Sequence, residues 1–420
     1  MQTTTKLYDR DSHLTSCQAT VLSCEYDISK DCFAIILDRT VFFPEGGGQF
    51  ADTGYICELL PENDMPNLVH SLTPSIDPST ATSSKVPNTP ANVLDVQITS
   101  DVITHYTNKP LTIGTTVTCH IDWARRFDFM QQHSAEHILS GLVHRTYGYN
   151  NVGFHLGLTE TTLDFDGTLT TEQLAQLERK ANEAVYRNIA FDISFPDPEA
   201  LAALDYRSKK ELSGEVRIVT LPGYDVCACC APHVYYTGEI GIIKMISAIS
   251  HRGGMRLTVL CGKRALTDYQ AKQTSVEQIS ALLSAKQPEV ASAVAKAKED
   301  QQALIYRIND LQKKVLEAEL KSLPAPDTTE DIFLFQKDLD TKAIRDAVNE
   351  LCTRYTGYCG IFVGTSETGY SFVLGSASKD CGTAAGILRE AFGAKGGGSA
   401  KMIQGSVTAD EAAIRACFIS

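Results

Sequence analysis

Two histidines four residues apart, His133 and His137 in QQHSAEHILSG, head the set of residues in this chain that can do chemistry. On a helix that spacing puts both imidazoles on one face about one turn apart, an arrangement that can grip a single metal ion. Further along, VCACCAPHV supplies Cys229 and His233 with the same spacing, on what should be a turn. Three imidazoles and one thiolate suit tetrahedral Zn2+. A lone histidine pair is equally what two partly exposed side chains on one helix face look like, so the second pair carries the weight. Two alternatives stay open. Cys227 and Cys230 form a CxxC that could itself hold zinc or a disulfide, although only Cys229 has the three-residue gap to His233. His133, Glu136 and His137 also spell the HxxEH of inverted zinc peptidases, with Glu136 as general base, but the Cys229 and His233 pair has no role there.

Two glycine runs are the other chemical signal. In VFFPEGGGQFADTG, residues 41–54, Gly46, Gly47 and Gly48 permit backbone conformations and close approach denied to other residues. The run reads either as a tight hairpin or as a place where bare amides and the side chains of Thr40 and Gln49 contact a small substrate. In GAKGGGSAKMIQGS, Lys395 and Lys401 flank glycines that include Gly396 and Gly397, which suits a phosphate backbone or, equally, a flexible connection before a strand.

The elements that must position these residues follow from patterning. Residues 16–57 alternate apolar and polar positions between glycines and predict a small β-rich unit, with strands resuming near 93–98 and 115–121. Residues 61–90, rich in Pro, Ser, Thr and Asn, predict a mobile insertion. Helical periodicity from Arg126 to Tyr147 carries the histidine pair, and a second amphipathic helix is predicted over 171–187 with Thr171 at its cap. Short apolar runs then follow in an α+β pattern. Residues 266–323 predict two helices with Pro288 opening the second, and Leu304, Ile308, Leu311, Val315 and Ala318 form a seam for a helix partner. That partner is either an intramolecular hairpin or a second chain in a homodimer. Residues 324–420 predict a small α/β domain. The expected domains are therefore 1–125, 126–265, 266–323 and 324–420.

A chain of 420 residues that is 43% hydrophobic can bury more than one core. It has no apolar run of membrane-spanning length and no signal-peptide pattern at its N-terminus, so a cytoplasmic location is expected and a membrane partner is not. Thirteen scattered cysteines in so long a chain argue for buried thiols and one metal site over a disulfide framework. A net charge of -13 argues against indiscriminate nucleic-acid binding and leaves only local patches. The candidates are Arg125 with Arg126, Arg207 with Lys209 and Lys210, Arg252 with Arg256, Lys263 with Arg264, and Lys395 with Lys401.

Taken together, RRFDFMQQHSAEHILSG, CCAPHVYYTGEIG and RTVFFPEGGGQFADTG resemble the editing domain of alanyl-tRNA synthetase and its free-standing relatives, the AlaX family, over most of residues 15–265. The helical segment and GAKGGGSAKMIQGS are similar to the DHHA1-type tail of the long AlaX form. The resemblance implies an α+β zinc editing domain with a β-rich N-terminal unit, Zn2+ on His133, His137, Cys229 and His233, and a pocket in which Thr40 discriminates the hydroxyl of misattached serine. It also implies a mischarged tRNA(Ala) as substrate and hydrolysis of its aminoacyl ester. No region for ATP or amino-acid activation precedes the editing part, so aminoacylation is not expected. Cys230, Ala231 and Pro232 stand where the synthetase usually has Gly, Gly and Thr, and Phe50 where many relatives have proline; these departures bear on pocket shape and not on the ligands. Two other classes compete: an RNA-binding module with structural zinc, and a phosphoesterase, whose Asp and His cluster is missing upstream of the tail.

Overall fold

In the computed structural model the described residues are 3–59, 89–208, 215–323, 330–339 and 341–418. The expected insertion therefore lies almost wholly outside them, as do Lys209 and Lys210. The chain divides into two compact units, Met1–Ser275 and Val276–Ser420. Among the described residues no helix is long and apolar enough to cross a membrane.

The first unit opens with six strands, Ser16–Asp27, Cys32–Leu37, Gly54–Glu58, Ala91–Thr99, Val102–Thr107 and Thr116–Ile121, closed into a barrel. Closure follows from the alternation read in the sequence: Ile35, Leu37, Ile56, Val96, Ile103 and Val117 all point inward and are fully buried. His105 is buried among them, and burial pushes its pKa down to about 4, so it sits in the barrel as neutral imidazole.

The helix Trp123–Tyr147 is capped by Asp122, whose side chain accepts the Arg125 amide, and ends at Gly148 in the left-handed region. Every residue from 129 to 141 is buried, so this is no one-sided surface helix. Its polar residues are satisfied inside: Gln131 donates to the Glu239 carbonyl, Gln132 to the Cys261 carbonyl, and Ser134 Oγ accepts the Val234 amide. Around it stand the antiparallel sheet ordered Ile243–His251, Gly254–Cys261, Thr161–Phe165, Asn151–Leu156, and the helix Thr171–Tyr186. The cap of that second helix is Thr170, one residue before the expected Thr171, in a capping box with Gln173. A third sheet, Asp192–Ser194, Ile218–Leu221 and Asp225–Ala228, brings the cysteine turn to the helix.

The expected pair of helices is present as Gly262–Leu283 and Val290–Ser322, with Pro288 in a 3-10 turn before the second. The predicted seam is not covered: Leu304, Ile308, Leu311 and Val315 are each more than half exposed. The face that packs is Leu316 and Leu320, which join Ile344, Val348 and Leu351 in the core of the C-terminal unit. Within the single chain the seam therefore meets no helix partner, which leaves the homodimer alternative as it stood.

That unit is a five-stranded sheet ordered Ile332–Gln336, Cys359–Thr365, Gly369–Gly375, Met402–Val407, Lys395–Ser399, parallel only in its first pair. Helix Thr341–Arg354 covers one face, and helices Cys381–Phe392 and Glu411–Ala416 the other. The second glycine run is an exposed edge strand of a hairpin, where the sequence left a loop. A Cβ on Gly396 would stand 2.2 Å from the Gln404 carbonyl oxygen, and one on Gly398 2.2 Å from that of Met402. Close backbone approach, not flexibility, accounts for these two glycines.

Candidate metal centre

The first glycine run makes a two-residue hairpin turn. The Gly46 amide donates to the Gln49 carbonyl at 3.1 Å, the Gln49 amide returns the bond at 3.0 Å, and Gly47 and Gly48 have φ of 62° and 83°. A Cβ on Gly48 would meet the Phe154 ring at 3.0 Å, so the turn lies flat against that side chain. The turn is anchored behind by a buried ion pair: Asp52 accepts from Arg126 Nε at 3.0 Å on both oxygens and from the Phe43 amide at 2.7 Å. Arg126 also donates to the carbonyls of Ser12 at 2.9 Å and Val41 at 2.7 Å. Barrel loop and histidine helix are thus locked together.

One consequence is that Gln49 Oε1 reaches His133 Nδ1 at 3.0 Å. One turn on, His137 Nδ1 meets Asp225 Oδ2 at 2.8 Å. The turn after the Asp225–Ala228 strand brings Cys229 Sγ to 3.4 Å from His133 Nε2 and stacks His233 edge-on to both histidines. The donor atoms of His133, His137, Cys229 and His233 all lie within 4.8 Å of one another. His233 is 1% exposed, yet neither of its ring nitrogens has a hydrogen-bond partner. A buried imidazole with two bare nitrogens is costly unless something outside the protein completes it. Burial, with His137 and His133 beside it, holds its pKa well below the ordinary histidine value, which keeps the ring neutral and its lone pair available. Burial pushes the Cys229 thiol up, so with no cation beside it the group is a neutral thiol. The cluster fits a metal ion.

A second group, His137, Asp225 and Cys227, is equally compact. Its carboxylate is already engaged: Arg207 Nε meets Asp225 Oδ1 and Arg207 Nη2 meets Oδ2, both at 2.7 Å. Burial works against that charge, but the Arg207 fork and His137 outweigh it and hold the carboxyl below the ordinary aspartate range. Glu136 Oε1 accepts from Ser140 and Asn151, and among the described residues no compact donor group joins both helix histidines to a carboxylate, which the peptidase reading requires.

His133, His137 and Cys229 line a cavity of about 490 Å3 together with Gly47, Gly48, Phe154, Arg217 and Cys230. Arg217 Nη1 donates to the carbonyls of Cys229 and Ala231, at 2.8 and 2.9 Å, and so holds the cysteine turn. Thr40 is not brought to this cavity. It is fully buried, with Oγ1 2.8 Å from His105 Nε2 and accepting the Phe42 amide at 3.0 Å. One arginine in each of four basic patches is paired internally: Arg126 with Asp52, Arg207 with Asp225, Arg256 with Asp164 and Arg264 with Asp128. Lys395 and Lys401 remain exposed. Sequence reasoning missed Asp52, Asp225 and Arg217, because nothing local marks a side chain whose partner is far away in the chain.

Residues 216–257 match the second additional domain of threonyl and alanyl tRNA synthetases. Over 96% of its length this chain is 25% identical to the alanyl-tRNA editing protein Aarsd1 of Mus musculus, covering 94% of that protein. It is 28% identical to Aarsd1-B of Xenopus laevis over 86% of this chain and 82% of that one. The alanine–tRNA ligase of Ignicoccus hospitalis is 27% identical over 80% of this chain, which spans 34% of the ligase. The chain is a homologue of the alanyl-tRNA editing proteins over nearly its whole length, with a synthetase-type second additional domain and a buried His and Cys cluster able to hold a metal ion.

Proposed function

We propose that this protein is a cytoplasmic, zinc-dependent deacylase that hydrolyses the ester linking a wrong amino acid, chiefly serine and also glycine, to tRNA(Ala). The observation that carries the proposal is the buried His133, His137, Cys229 and His233 cluster opening on a cavity, in a chain similar end to end to proteins named for alanyl-tRNA editing. In this reading residues 1–125 and 126–265 together form the editing part, 266–323 the helical linker, and 324–420 a DHHA1-type domain.

Zn2+ on the four donors would position the aminoacyl end, since four protein ligands fill a tetrahedral ion, with water as the nucleophile. Gly47 and Gly48 give the substrate a wall without side chains, and Gln49 holds His133. A synthetase pocket shaped for alanine cannot exclude serine or glycine well, which is why a second, hydrolytic sieve is useful. Incubating the protein with seryl-, glycyl- and alanyl-tRNA(Ala) tests this: seryl ester should be cleaved and alanyl ester spared. Equal hydrolysis of all three, or of none, rejects it.

Thr40 enters selectivity through the backbone it holds. Its hydroxyl fixes the Phe42 amide at the root of the glycine turn, and Thr40→Val keeps the shape while removing that bond. Loss of that bond should cost about 1 kcal/mol of stability and loosen the turn, and the ratio of seryl to alanyl cleavage should fall. A ratio identical to wild type removes Thr40 from selectivity.

For tRNA, the hairpin carrying Lys395, Gly396, Gly397 and Lys401 offers two exposed cations and bare backbone on an acidic protein. Replacing both lysines by alanine should weaken tRNA binding and reduce the slope of log affinity against log salt by roughly 1.4 to 1.8, as two lost phosphate contacts imply. An unchanged slope places the contact elsewhere.

A further inference from the structure

Metal ligands are only as good as the groups that aim them. A neutral imidazole carries one N–H and one lone pair, and whatever accepts at Nδ1 forces the lone pair onto Nε2. His137 Nδ1 faces Asp225 Oδ2 at 2.8 Å, and His133 Nδ1 faces Gln49 Oε1 at 3.0 Å. His233 has no such partner on either nitrogen. Asp225 is itself fixed by the Arg207 fork, 2.7 Å on each oxygen, so with His137 three of its roughly four acceptor sites are taken and its orientation is set.

We propose that Asp225, clamped by Arg207, and Gln49 are positioning residues of the metal centre: they fix the tautomers of His137 and His133 and turn both Nε2 atoms toward Cys229 and His233. The proposal rests on the metal assignment above and not on the identity of the substrate. The two supports differ in kind. Asp225 is an anion that strengthens its imidazole as a donor, whereas Gln49 is a neutral amide that only orients, so His137 is the more strongly supported ligand. Arg207 and Asp225 also line a second cavity of about 850 Å3, which places the clamp between that cavity and the cluster. Asp225 belongs to the strand that leads into the cysteine turn and Gln49 to the glycine turn, so each ligand-bearing helix turn is checked by a different piece of the fold.

The test is metal affinity of the full chain, stripped and then titrated with Zn2+ against a chromophoric chelator, with the Co2+ absorption spectrum as a second readout. Asp225→Ala should lower Zn2+ affinity about a hundredfold, and Asp225→Asn and Gln49→Met about tenfold, each with an altered Co2+ spectrum. Circular dichroism and the melting point of the stripped proteins show whether each variant is folded. Asp225→Asn and Gln49→Met keep side-chain volume, so they report even where Asp225→Ala does not fold. Wild-type affinity in both, with unchanged Co2+ spectra, overturns the positioning roles while leaving the metal centre standing. Failure of the wild-type chain to bind either ion overturns the metal assignment and this proposal together. Binding as expected without seryl-tRNA cleavage would overturn only the substrate.

Discussion

Asp52→Ala should destabilise the Met1–Ser275 unit by about 3–5 kcal/mol, enough to leave much of it unfolded at 37 °C if its stability lies at the lower end of the usual range. The residue it strands, Arg126, is completely buried and keeps only the carbonyls of Ser12 and Val41 as partners. An uncompensated guanidinium inside the protein costs far more than the ion pair contributes when intact. The Phe43 amide loses its acceptor as well. Urea titration followed by tryptophan fluorescence reads this directly, because Trp123, the one tryptophan, opens the helix that carries Arg126. Replacing the pair together, as Asp52→Leu with Arg126→Met, should recover much of the loss. A single Asp52→Ala chain within about 1 kcal/mol of wild type would mean the pair is not what joins barrel loop to helix.

The second large effect is a reversal of order at His233. His233→Phe keeps a flat ring in the site and removes two buried nitrogens that lack partners. Without metal this variant should equal or exceed the stripped wild type in stability, by up to about 1–3 kcal/mol, the desolvation cost of unpaired polar groups. With Zn2+ the order inverts. Structural zinc sites hold roughly 10–16 kcal/mol, and loss of one donor in four should weaken binding by about a hundredfold or more. Thermal melts with and without Zn2+ supply both comparisons. A stripped variant much weaker than stripped wild type would show that His233 packs as an ordinary core side chain.

The four donors were legible in the sequence because each pair is local: a helix or a turn sets the spacing of His133 with His137 and of Cys229 with His233. The barrel was legible as alternating strands, although its closure was not, since closure depends on which distant edges meet. What stayed hidden is the set of long-range supports. Asp52 and Arg126 are 74 positions apart, and His137 and Asp225 are 88 apart. Arg126 read from sequence as half of a surface charge cluster, the opposite of its place at the centre of the unit. Thr40 was placed by analogy on the pocket wall and stands in the layer behind it, against His105. The helix seam was legible only in part: 3.6-residue periodicity finds an apolar stripe, which within the single chain stays exposed, whereas Leu316 and Leu320 are covered by the C-terminal unit, a contact that no local pattern marks.

The edge strand Lys395–Ser399 also bears on self-association. A sheet edge leaves a row of backbone donors and acceptors open to any other chain that can lie alongside. Here three of the five residues are glycine, so an added strand would gain ladder hydrogen bonds but find few side chains to pack against. Lys395 at one end and Lys401 just past the other would meet their own copies in an edge-to-edge pair and repel them. The edge is thereby poorly suited to growth into a fibre, and the protein can leave this strand at its surface without inviting its neighbours to extend the sheet.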